Sequence, residues 1–473
     1  MARCMSPMVV TCMRTSAFCF KAVVALMALS FVGEGARAQE ARTCPRDLPA
    51  GSTCYAGQDP RGAYYWMVIP EHWNHVLVVH SHGGPSLKAP QADDPTSDLQ
   101  RFGVTVAEGF AWAGSSYRHA GYGVRDAAQD TDTLRQIFWS KFGRPKYTLL
   151  HGQSWGANVA AKTAEVYGTD ASHKPVFDGV VLTSGVVGGG TRSYDFRADL
   201  RVVYEYFCGN HPAPGEPRYP LWEGLPEDSK LKTRDLDARI DACTGVDRPE
   251  ANRTPTQKRA LANILAVIHI PERTLASHMA WATFTFRDLV QRQLHGENPF
   301  SNVGVRYSGS DDDTVLNATV ERFAADPQGA ADLAYDSDLS GVLTVPTLTM
   351  HAEDDPTAFV ELESVFRDTV VKAGREALLV QSFTDEHEHS KLATPEYAAL
   401  FRAMLRWIAE GRKPSVASLA AECTEAQKTY GEACHFDPGF HPRPLQTRSY
   451  PRVKPTGLRS PREERAGGGS GTQ

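Results

Sequence analysis

The chain has 473 residues, room for two or three domains, with 41% hydrophobic and 22% charged residues, ordinary proportions for a globular protein. Its formal net charge of −6 leaves no basic footprint for nucleic acid. Beyond the N-terminus no stretch approaches the roughly 18 apolar residues that a membrane-spanning helix needs, so stable membrane insertion is not expected.

The first 38 residues read as a secretory signal. Arg14 and Lys21 supply positive charge, 22–33 is mostly apolar, and Ala36-Arg37-Ala38 is an A-x-A cleavage site. The mature protein is therefore expected to be secreted or periplasmic, where cysteines oxidise. Cys4, Cys12 and Cys19 leave with the signal; Cys44, Cys54, Cys208, Cys243, Cys423 and Cys434 remain. The simplest pairing is local in sequence: Cys44–Cys54, Cys208–Cys243 and Cys423–Cys434. Each would staple an irregular segment outside the sheet, and the last would matter least to catalysis. None has metal-ligand spacing such as C-x-x-C, and no metal or other cofactor is expected.

Apolar runs at 64–69, 75–80, 110–115, 147–150 and 176–183 predict strands. The periodicity between them predicts helices at 98–108 and 127–142, and an alanine-rich helix from Ala157 to Val166. Such alternation implies a parallel sheet with helices on both faces. It stops at 185–190 and resumes at 345–350. The intervening 187–342 is too long and too helical for a loop. Leu261, Ile264, Leu265 and Ile268 share one face of a helix at 256–270, and Leu275, Met279, Phe286 and Leu289 lie on another at 273–294. This insert reads as a cap, an independent lid over the active-site end of the sheet. Trp281, Phe284 and Phe286 could line a pocket or form the cap's own core. Asp311-Asp312-Asp313 lacks the glycine and spaced ligands of a calcium loop and reads as a solvated turn or helix start. A helix at 358–372, a strand at 377–383, a histidine-bearing loop and a helix at 395–411 follow. Residues 413–455 form a disulfide-stapled extension, and 456–473, rich in Gly, Pro and Arg, are expected to be disordered.

The chemistry centres on Gly152-Gln153-Ser154-Trp155-Gly156, a G-x-S-x-G between an apolar strand and an alanine-rich helix. A nucleophile elbow requires that context: the serine sits on a strained turn with its oxygen held out above the sheet. A serine hydroxyl needs a base, and the base an orienting acid, in the chain order Ser, Asp or Glu, His. The acid candidates lie in His351-Ala352-Glu353-Asp354-Asp355-Pro356, the base candidates in Asp385-Glu386-His387-Glu388-His389-Ser390. A developing oxyanion needs two or more backbone N–H donors. Trp155 can supply one. The loop Ser81-His82-Gly83-Gly84-Pro85 can supply the other from Gly83 or Gly84.

Over roughly 60–412 the chain resembles the α/β-hydrolase-fold serine hydrolases. Their acid strand typically runs into G-x-x-D, a pattern that falls on Asp355 with Ala352 in place of glycine; Asp354 and Glu353 stay as alternatives. Their histidine sits in a G-H-S-like turn, which His389-Ser390 matches with Glu388 in place of glycine; His387 is the alternative. H-G-G-P with G-x-S-W-G is also similar to the proline iminopeptidase branch, departing at Ser86 and Ala157. Tyr117 and Arg118, with Gly121 and Tyr122, fall where loops overhang such a site, and Tyr117, Arg118, Trp281 and Phe284 are candidates for substrate contact. The resemblance implies a secreted, metal-independent serine hydrolase with Ser154, His389 and Asp355 as triad and Trp155, Gly83 and Gly84 around the oxyanion. The substrate would be a small-molecule ester or a short peptide. A carboxylic ester comes first and an exo-acting peptidase of the iminopeptidase kind second; a non-enzymatic binding protein on the same scaffold is a distant third. Carboxylates in the cap pocket would favour the peptidase by gripping an α-ammonium group, and a dry aromatic pocket the ester. No pattern in the chain specifies an oligomeric state.

Overall fold

A computed structural model describes residues 40–452. The signal sequence with its three cysteines lies outside the described residues, as do the last residues of the extension and the C-terminal tail. The nine strands are β1 (Glu40–Arg42), β2 (Thr53–Gln58), β3 (Tyr64–Ile69), β4 (Val76–Ser81), β5 (Ala111–Ser115), β6 (Tyr147–Gln153), β7 (Gly179–Thr183), β8 (Thr347–Ala352) and β9 (Leu379–Thr384). They form one sheet in the order β1-β2-β3-β5-β4-β6-β7-β8-β9. The pairs β1–β2, β2–β3 and β3–β5 are antiparallel and the rest parallel.

Both faces of the central strands are covered, which is why they read as unbroken apolar runs. Alternate residues of β6 go to opposite cores. Leu150 packs with Val159 and Phe138 from the helices Trp155–Tyr167 and Val124–Phe142. Leu149 packs with Phe102, Phe401 and Met404 on the other side, the last two from the helix Thr394–Glu410. This mixed sheet, with helices on both faces and a helical insertion between β7 and β8, is the α/β-hydrolase fold.

Several expectations are corrected. The helix expected at 98–108 begins earlier and is two helices, Asp94–Arg101 and Gly103–Ala107, broken at Phe102 (φ −103°, ψ 24°), whose ring is buried. The strands β1 and β2 carry too few apolar residues to signal themselves. The helix expected at 273–294 starts as Leu275–Ala280 and then widens into π-helical turns at Trp281–Thr285 and Asp288–Gln293, a distortion frequent at functional sites. The C-terminal extension contains a helix, Val416–Tyr430, packed on Thr394–Glu410.

Three disulfides join Cys44 to Cys54, Cys208 to Cys243, and Cys423 to Cys434. The second ties the cap helices Asp195–Cys208 and Thr233–Thr244. The insertion between β7 and β8 is not independent of the C-terminal segment, because residues 445–452 fold back across it. Tyr450 donates its hydroxyl to the Val267 carbonyl at 2.8 Å, and Arg452 reaches Asp195 at 3.0 Å and Asp199 at 2.5 Å.

Candidate active site

Ser154 ends the turn between β6 and the helix Trp155–Tyr167. Its backbone (φ 60°, ψ −127°) is one that L-residues rarely adopt. The surroundings hold it there: its N–H donates to the Thr183 carbonyl at 2.9 Å, and its own carbonyl accepts from Ala157 at 3.0 Å and Val186 at 3.1 Å. The flanking glycines answer to close approach. A Cβ on Gly152 would stand 2.1 Å from the Gly156 carbonyl oxygen, and one on Gly156 would stand 2.1 Å from that of Ser81.

The loops after β8 and β9 bring two more groups to this turn. His389 Nε2 lies 2.8 Å from Ser154 Oγ, and His389 Nδ1 lies 2.7 Å from Asp355 Oδ2. The second carboxylate oxygen of Asp355 accepts the N–H groups of Thr357 at 2.8 Å and Ala358 at 2.9 Å. Burial works against this carboxylate, but the adjoining His389 and His351 outweigh it and hold Asp355 well below the usual carboxylate range.

His351, for which the sequence suggested no role, lies beneath the acid. Its Nε2 is 2.7 Å from the Ala358 carbonyl and 3.4 Å from Asp355 Oδ2, and its Nδ1 is 3.3 Å from Glu363 Oε1. Burial opposes a charged ring, yet the hydrogen bonds and charges of Asp355 and Glu363 prevail and raise His351 to about 10. With both nitrogens facing oxygen, the ring is an imidazolium at neutral pH. The only sequence signal for this pair was a histidine in an apolar strand and a glutamate in the buried first turn of the helix Leu362–Lys372.

The alternatives stand elsewhere. His387 Nδ1 pairs with Asp354 Oδ2 at 2.8 Å, both side chains largely exposed. Glu353 is driven up to about 7 by partial burial and by its acidic neighbours Asp437, Asp385 and Asp354.

A cavity of about 400 Å³ opens onto Ser154 and His389. Gly83 and Gly84 form one edge, and a Cβ on Gly83 would lie 3.6 Å from Ser154 Cβ. Trp155 opens its helix, so its N–H has no acceptor in a preceding turn. His82, in the same loop, is held above its ordinary value: burial works against it, but its hydrogen bond to Asp98 and that carboxylate's charge prevail. Tyr117 donates its hydroxyl to the His82 carbonyl at 3.0 Å and lines an adjoining hollow with Ser86 and His119. Trp281 lines the main cavity, stacked 4.3 Å from the Tyr194 ring. Arg118 and Phe284 do not share this placement: Arg118 is spent on Asp130 at 2.7 Å, and Phe284 packs into the apolar core. Sequence reasoning missed the cavity residues Arg101, Tyr194 and Arg197. Arg197 and Arg201, one turn apart and buried on the helix Asp195–Cys208, were the available signal, since charges on a buried helix face call for a reason.

Among the described residues, one set of three side chains could hold a metal ion. Glu386, Glu396 and His435 offer ligand atoms within 4.8 Å of one another. They come from separate elements, so no spacing announced them. The cluster lies at the foot of the loop that carries His389, and Glu396 already accepts the N–H groups of Ala393 and His435. Burial and the adjoining carboxylate push Glu396 above the usual carboxylate range.

No family model matches the chain. Over 133 residues it is 28% identical to an o-phthalyl amidase of Xanthobacter agilis, a match that covers 26% of this chain and 27% of that protein. The chain thus matches about a quarter of that relative's length. Among solved structures it is similar to an esterase from Aspergillus oryzae (14% identity, 80% of this chain and 88% of that one, TM-score 0.42) and to the rice cell wall degrading esterase LipA from Xanthomonas oryzae (13%, 76% and 89%, TM-score 0.37). Likenesses this low fix neither substrate nor mechanism.

Proposed function

We propose that the protein is a serine hydrolase that cleaves a carboxylic ester through an acyl-enzyme. The reading rests on the hydrogen-bonded line from Ser154 Oγ through His389 to Asp355, with successive distances of 2.8 and 2.7 Å. His389 takes the hydroxyl proton as Oγ bonds to the substrate carbonyl carbon, and it returns that proton to the departing alcohol as the C–O bond breaks. Water repeats the sequence, leaving the free acid and the original serine. Asp355 holds the histidine tautomer and supports the imidazolium. The N–H groups of Trp155 and of Gly83 or Gly84 meet the oxyanion.

An amide is the second reading, supported by the likeness to an amidase. The exopeptidase loses ground, because arginines line the cavity and Asp98, the one carboxylate among its lining residues, is engaged by His80 and His82. We place the protein outside the cytoplasm, with 1–38 as a removed signal, a reading that three disulfides support. Residues 187–342 act as the cap.

The test is turnover of 4-nitrophenyl acetate with fluorophosphonate labelling. Ser154→Ala and His389→Ala should lose activity by a factor on the order of 10⁴ or more, and Ser154→Ala should take no label. His387→Ala should stay within a few-fold of wild type. A labelled, active Ser154→Ala would end the assignment and point to another nucleophile, and a wild type that neither labels nor turns over would leave the non-enzymatic scaffold.

A further inference from the structure

Arg197 is the anomaly of the cavity. It is 5% exposed, and the only hydrogen bond from its guanidinium among the described residues is a long one, Nη2 to the Thr357 carbonyl at 3.4 Å. Its Nε has no partner, and among the described residues no carboxylate lies within ion-pair distance. The aromatic rings of Trp281 and Phe196 each stand 4.5 Å from the guanidinium carbon. Stacking of that kind satisfies the faces of the guanidinium and leaves the N–H groups on its edge unspent. A buried cation without a counter-ion is costly unless something else is served by it. Burial pulls Arg197 down to about 10 against the opposing charges of Tyr194 and Asp355, neither of them hydrogen-bonded to it, which still leaves it charged at neutral pH.

A second cation lines the same cavity. Arg101 contacts Gln153 Oε1 at 3.4 Å and the Ser390 carbonyl, neither of them a charge. The one carboxylate that lines the cavity is already matched, Asp98 between His80 and His82, and Asp355 behind the cavity is paired with His389. The surroundings of Ser154 therefore hold two positive charges in want of an anion.

We propose that Arg197, assisted by Arg101, is a specificity-determining residue that binds a free carboxylate on the substrate. This rests on the serine-hydrolase reading and narrows it: the preferred substrates are esters that carry a second, ionised carboxyl group. Half-esters of dicarboxylic acids present that group on the acyl part, and esters of carboxyl-bearing alcohols present it on the leaving group. A carboxylate fits the guanidinium edge in a way that a neutral amide or hydroxyl does not. It also supplies the charge that the cavity lacks. The acyl transfer itself is unchanged; the carboxylate is held, not consumed.

The test compares kcat/KM for monobenzyl succinate and monobenzyl glutarate (carboxylate on the acyl part), 4-carboxybenzyl butyrate (carboxylate on the alcohol), and neutral benzyl butyrate. Release of the alcohol, benzyl alcohol from three of the esters and 4-(hydroxymethyl)benzoate from 4-carboxybenzyl butyrate, is followed by chromatography. In the wild type at least one anionic ester should be favoured over benzyl butyrate by roughly ten- to hundredfold, the range of a hydrogen bond to a charged group. Which arm is favoured tells on which side of the scissile bond Arg197 acts. Arg197→Gln should lower the anionic-to-neutral ratio at least tenfold, and Arg197→Lys should recover part of it. Because the ratio is internal, a loosened cap that slows every ester alike does not imitate the effect. As a second measurement, succinate should protect wild-type Ser154 from a fluorophosphonate and fail to protect it in Arg197→Gln. A wild-type enzyme that labels at Ser154 yet favours benzyl butyrate, or an Arg197→Gln variant that keeps the ratio, overturns the proposal alone. A protein that neither labels nor cleaves any of the four overturns the hydrolase reading as well.

Discussion

The charge on His351 governs how firmly Asp355 is held. A buried imidazolium between two buried carboxylates is a network in which the loss of one member leaves uncompensated charge, at a cost of about 3–5 kcal/mol. His351→Gln should therefore lower the thermal midpoint, and the size of that effect should depend on pH. The folded value is raised to about 10 from an ordinary value near 6.5, so the native state binds a proton that the unfolded chain releases. That contribution is fully present below pH ~6.5 and is lost as pH rises through about 10. Melting curves across this range should show the gap between wild type and variant closing as pH rises. A gap that stays constant would mean that His351 is neutral and acts only by packing. The same neighbourhood marks the limit of what single residues disclose in sequence. The three acid candidates, Glu353, Asp354 and Asp355, follow β8, and both base candidates follow β9. The choice between Asp354 and Asp355, or between His387 and His389, is one of burial. The pair Asp354–His387 is exposed, while the Asp355 side chain is fully buried.

Elements buried on both faces announced themselves, because the hydrophobic effect leaves an unbroken apolar run in a central strand and a spaced one in its covering helix. The elbow strand, its helix and the strands around them were legible for that reason. Elements held by other means were not. The strands β1 and β2 rest on antiparallel pairing and on Cys44–Cys54, with little apolar signature. The sequence led us to expect that Cys423–Cys434 matters least to catalysis, yet the segment after Cys434 adjoins the loop that bears His389. Phe436 pairs with Thr384 at the end of β9, His435 accepts the N–H of Asp385 at 2.8 Å, and His435 donates its own N–H to Glu396 at 2.8 Å. These contacts brace both ends of the loop that bears His389. Cys423–Cys434 closes a loop with a sequence separation of 11, worth roughly 3 kcal/mol on the chain-entropy model. Replacing both cysteines with serine should therefore lower kcat, by roughly tenfold if His389 is displaced on the scale of 1 Å. The equivalent change at Cys44 and Cys54 should lower the thermal midpoint and spare kcat. Equal kcat in the two double variants would show that the brace does not reach the histidine.

At the scale of the whole molecule, the cap is coupled to the C-terminus by ionic contacts that no local pattern could reveal, since the partners are some 250 residues apart. Arg452 meets Asp195 and Asp199 on the helix that also carries Arg197 and Tyr194's neighbour Phe196, and Asp199 in turn accepts the Tyr307 hydroxyl at 2.6 Å. Tyr450 stands 5.1 Å from the Tyr307 ring, so the strap closes over apolar as well as charged groups. Arg452→Met keeps the length of the side chain and removes its charge, leaving Asp199, 1% exposed, without its cation. The cost falls on the cap first, because β4, β6 and the elbow strand are also held by the core on the opposite face of the sheet, which the strap does not enter. Hydrogen exchange should therefore rise across 195–208 in Arg452→Met while the amides of β4 and β6 stay protected, and Arg452→Lys should restore part of the protection. Ser154 should still take a fluorophosphonate label, since His389 and Asp355 sit on the loops that follow β9 and β8. Exchange that rises equally in the cap and in β6 would instead make cap, strap and sheet one cooperative unit, with Arg452 acting on the stability of the whole.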